Sequence, residues 1–82
     1  MTEIILQAYK DVEQAMKTYN KVLEEQLNFL KSAPGSNPSI VERMTHGTHA
    51  MRDSSMIYLS YAKYVAYGMP ESEDLVQEDL QG

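Results

Sequence analysis

Eighty-two residues, no cysteine, and seven Lys and Arg set against twelve Asp and Glu for a formal net charge of −5 describe one small acidic domain. These figures exclude a disulfide framework and a thiolate metal site. Without a concentrated basic face they also argue against a nucleic-acid backbone as partner. No run of about 18 apolar residues is present, so no membrane span is expected. Met1 to Leu6 carries Glu3 and no basic cluster, unlike a signal or transit peptide, and a cytoplasmic protein is the expectation.

The first element is a helix over residues 3–31. Ile5, Tyr9, Val12, Met16, Tyr19, Leu23, Gln26 and Leu30 alternate steps of four and three, a heptad seam with one polar member. Ala8, Ala15, Val22 and Phe29 flank it and widen the apolar face to that of a bundle helix. Lys10, Lys17 and Lys21 lie among Asp11, Glu13 and Glu24 and read as a solvated, mixed-charge surface. Glu3 near the start and Lys31 near the end both favour the helix dipole.

Residues 32–38, Ser-Ala-Pro-Gly-Ser-Asn-Pro, must break that helix. The next one has two possible caps: Asn37 with Pro38 at the first helical position, or Ser39 with Glu42 closing a capping box. It should run over 39–67 and stop at Gly68 and Pro70. Ile40, Met44, Gly47, Met51, Ser55, Tyr58, Ala62 and Val65 recur along one face and form its expected core stripe. Gly47 inside this stripe suggests close approach of another helix. Beyond residue 69 an acidic tail, 70–82, has only Leu75, Val76 and Leu80 as apolar anchors and is expected to be frayed or disordered.

The fold expected is therefore all-α: an antiparallel two-helix hairpin, residues 1–69, followed by the tail. A hairpin has one seam, yet residues 56–67 are apolar or aromatic nearly all round, and such a helix is buried all round. Self-association follows as an expectation, most simply a dimer forming a four-helix bundle, with higher closed oligomers as the alternative. Tyr58, Tyr61, Ala62, Tyr64 and Val65 are the expected interface, where tyrosine is enriched.

Three groups of residues bear on function. Glu42, His46, His49 and Asp53 form a polar stripe opposite the apolar one, with donors suited to a transition metal. Neither histidine has a Glu three residues before it, as the dinuclear carboxylate bundles require, so intrahelical ion pairs are the favoured reading; His46, His49 and Asp53 are weak metal candidates. Thr45, His49, Arg52, Lys63 and Tyr67 lie along one flank and offer hydroxyls, cations and a ring to an anionic small molecule such as a nucleotide. No cysteine nucleophile, glycine-rich phosphate loop or Gly-x-Ser-x-Gly elbow points to an enzyme, and no cofactor is called for. The leading expectation is a non-catalytic homo-oligomer that binds and modulates another macromolecule, of the size seen among phage and mobile-element regulators and inhibitors. A ligand sponge with its site at a subunit interface is the alternative, and a metal-bridged bundle the third reading.

Overall fold

The computed structural model describes residues 2–71, and within them the chain forms two helices, α1 (Thr2–Ser32) and α2 (Pro38–Ala66), packed as a hairpin. No strand occurs among the described residues. The apolar anchors expected in the tail, Leu75, Val76 and Leu80, lie outside the described residues.

The connection is built from the residues that forbid helix. The Ala33 amide still donates to the Phe29 carbonyl at 3.0 Å, and the chain then reverses through Pro34 and Gly35, whose φ of +73° suits glycine. Of the two possible caps, Asn37 is the one used. Its side-chain oxygen accepts the Ser39 amide at 2.9 Å, and Pro38 opens the helix where its missing N–H costs nothing. At the other end the Gly68 amide donates to the Val65 carbonyl and the Met69 amide to the Tyr64 carbonyl, both at 3.0 Å. With Gly68 at φ +88°, this is a Schellman stop. The Tyr64 hydroxyl donates to the Pro70 carbonyl at 3.0 Å and ties the exit segment back to the helix.

Two cross-helix contacts fix the antiparallel register. The Asn20 amide donates to the Ser55 hydroxyl at 3.2 Å, and Glu24 pairs with Arg52. Along α1 the line nearest α2 runs through Leu6, Tyr9, Met16, Asn20, Leu23, Leu27 and Leu30, with Tyr9 and Leu27 buried. Three of the eight members of the expected seam are therefore displaced by one residue: Ile5, Tyr19 and Gln26 are exposed, and Leu6, Asn20 and Leu27 take their places.

The displacement in α2 is larger in consequence. Its line toward α1 is Val41, Thr45, Thr48, Ser55, Leu59, Lys63 and Ala66, of which Thr48, Lys63 and Ala66 are buried. From the expected core stripe, Ile40, Met51 and Tyr58 stay exposed. Gly47 is open too. A methyl group added there would meet nothing within 4 Å, so the close approach its position suggested is not made by α1. The hairpin core is correspondingly thin: among the described residues only Tyr9, Leu27 and Ala66 are buried apolar groups, and no large side chain is fully buried.

Candidate functional site

Each helix carries a second heptad line, one residue before the line that meets its partner. On α1 it is Ile5, Ala8, Val12, Ala15, Tyr19, Val22, Gln26 and Phe29; on α2 it is Ile40, Met44, Gly47, Met51, Ser54, Tyr58, Ala62 and Val65, with Tyr61 beside it. One residue is about 100° of helical rotation, and in an antiparallel pair a backward step turns both helices toward the same side. The structure bears this geometry out at one end of the hairpin. There Ile5, Ala8 and Val12 of α1 and Ile57, Tyr58, Tyr61, Ala62 and Val65 of α2 line a common open groove of about 590 Å³, with Tyr9 at its floor.

None of these sixteen positions is charged, in a chain of which 23% is charged. The flank on the other side of the hairpin carries Lys10, Lys17, Lys21, His49 and Asp53, all exposed, beside the Glu24–Arg52 pair. The molecule thus has one apolar face and one charged face. Tyr19, Phe29, Tyr58 and Tyr61 on the apolar face remain 55%, 66%, 55% and 60% exposed. At about 200 Å² per large aromatic side chain, these four rings alone present about 500 Å².

The expected interface residues divide. Tyr58, Tyr61, Ala62 and Val65 line the groove. Tyr64 instead points its hydroxyl at Pro70, with its ring 5.7 Å from that of Tyr61. Ile57, which from its spacing lies on a flank that a simple bundle leaves partly exposed, belongs to neither heptad line and stays exposed at the rim.

The polar candidates are dispersed. Lys63 and Tyr67 do meet: the ammonium lies 5.5 Å from the ring centroid, a cation–π contact, while the lysine stem is buried between the helices. Arg52 is engaged by Glu24, and Thr45 donates its hydroxyl to the Val41 carbonyl at 2.8 Å. At 1.5 Å per residue, Thr45 and Tyr67 are about 33 Å apart along α2. One protomer therefore cannot gather Thr45, His49, Arg52, Lys63 and Tyr67 around one small anion. Glu42, His46, His49 and Asp53 are all exposed, and among the described residues no three metal-donor side chains converge.

Tyr9 is held protonated. Its phenol is pushed up to about 12, first by burial and then by the hydrogen bond it donates to Glu13 at 3.0 Å. The groove itself is lined by aliphatic and tyrosine side chains, with no carboxylate, imidazole or amine among them. No helix of the described residues is long and apolar enough to cross a membrane. No family model matches the chain, and neither a curated protein nor a solved structure is detectably similar to it.

Proposed function

We propose that the protein is a non-catalytic, homo-oligomeric helical protein that binds and modulates another macromolecule. The observation that carries this reading is the uncharged apolar face, too large and too continuous for a hairpin that works alone. Its aromatic rings supply more than half of the roughly 800 Å² that each partner buries in a standard interface. Pairing of hairpins covers that face and leaves the charged flank outward. Ile4, Met56 and Met69 lie off both lines and stay exposed, which gives an assembled protein apolar points for a macromolecular partner.

Among the alternatives, the ligand sponge loses its leading cation to Glu24 and its compactness to the length of α2. The metal bridge has donors but no convergence. Native mass spectrometry of freshly purified protein tests the reading. A mass of two or more chains, with no retained small molecule or metal, is the expected result. A 9.3 kDa species, with or without a bound anion, would overturn it.

A further inference from the structure

We infer that the apolar face takes a second copy of this chain in one arrangement: the two-fold axis parallel to the helices, both loops at the same end, and α1 of each protomer lying on α2 of the other. This deepens the self-association proposed above and rests on it. The register follows from contacts within the hairpin. Asn20 is level with Ser55 and Glu24 with Arg52, so residues of the two helices whose numbers add to about 75 share a level. An axis along the helices leaves levels unchanged, so each α1 residue on the face meets the α2 level it already has.

Those levels are complementary in size. Phe29 falls between Met44 and Gly47 of the partner subunit, where Gly47 has open space above it. Tyr19 falls between the partner's Ser54 and Tyr58, and Ala15 between the partner's Tyr58 and Tyr61. Phe29 over the partner's Gly47 and Ala15 beneath two of its rings pair large side chains with small ones, the condition for a well-filled bundle core. The glycine thereby gains the neighbour that its own chain does not provide. The other two-fold arrangement, with loops at opposite ends, sets each helix against its own copy, where no contact within the hairpin fixes a register.

Because the chain has no cysteine, disulfide trapping reads the arrangement directly. Val22→Cys and Ser54→Cys are conservative changes on the two lines. When the two variants are unfolded, mixed in equal amounts, refolded and oxidised, a linked dimer of about half the chains is expected. Each variant oxidised by itself is expected to stay unlinked, since like positions lie diagonally across the bundle. Linkage of either variant with itself would place the loops at opposite ends and overturn the arrangement. So would an unlinked mixture that sediments as a dimer, or linked species larger than two chains. A wild-type protein that sediments as a monomer at micromolar concentration would instead remove the self-association beneath it.

Discussion

Thr48 offers the sharpest test of how the hairpin seam is built. It is 3% exposed and its hydroxyl is buried without a hydrogen-bond partner. The same helix shows the alternative it does not take: Thr45 and Ser55 each donate to the carbonyl four residues back, at 2.8 and 2.7 Å. A buried hydroxyl left unpaired costs about 1–3 kcal/mol, and valine has the same shape and nearly the same helix propensity. Thr48→Val should therefore stabilise the fold by at least about 1 kcal/mol, which in a domain of this size raises the melting temperature by about 4–8 °C. Thr48→Ser keeps the hydroxyl and removes a buried methyl, and should lose about 0.8 kcal/mol. Thermal melts followed by circular dichroism, at one fixed chain concentration, measure both. A Thr48→Val protein melting below wild type would show that the hydroxyl is bonded and would refute the reasoning.

Tyr9 predicts an alkaline limb. Its folded pKa is raised from 10 to about 12, so the stability due to the neutral phenol is present below pH 10 and lost as the pH rises toward 12, on the order of 2–3 kcal/mol in all. Tyr9→Phe should lack that limb, and the difference between its melting temperature and that of wild type, compared at pH 8 and pH 11.5, should move in favour of the variant; a constant difference would contradict the assignment. Gly47→Ala adds a methyl that meets nothing in its own chain and gains about 1 kcal/mol of helix propensity. If the partner's Phe29 sits there, the gain appears in dilute protein and shrinks or reverses as concentration rises, whereas an equal gain at every concentration would leave the glycine without a neighbour.

The breaks in this chain were legible and its facing was not. Pro34, Gly35, Asn37 and Pro38, and later Gly68, act through backbone geometry that depends on the residue itself, so the two helices and their junction follow from local chemistry. Which side of each helix meets the other depends on what lies beside it. Along α1 two adjacent heptad lines are both apolar, and periodicity gives their common direction without saying which line the hairpin uses. Tyr9, Met16, Leu23 and Leu30 lie on the line named by either choice; Asn20 and Leu27 were missed because Ile5, Tyr19 and Gln26 complete an equally regular spacing. On α2 the expected stripe held Ser55, which does meet α1, but the expectation that apolar residues face inward also selected Met51 and Tyr58, while Thr48 took the seam. Arg52 and Lys63 were read as a ligand flank because their partners, Glu24 and Tyr67, depend on register and rotamer, which spacing alone does not supply.

That misplaced stripe is itself the strongest argument for an assembly. A hairpin stable by itself would turn its most apolar line inward, because unpaired polar groups are costly between helices and cheap in water. Here α2 gives its partner helix Thr45, Thr48, Ser55 and the stem of Lys63, and directs Met51, Tyr58 and Tyr61 along the open face. A helix in a four-helix bundle has two neighbours, about a right angle apart, and needs two adjacent inward lines about 100° from each other. Both helices have that pair of lines. In such a bundle the core direction bisects them, toward Val12, Met44, Ala62 and Val65, all half-buried in the single hairpin. Arg52 and Lys63 then fall at the rim of the intrachain seam, where Glu24 and Tyr67 meet them beside solvent. On the proposed reading, one polar seam and one apolar face are the two neighbouring contacts of each helix in a bundle of which this chain is half.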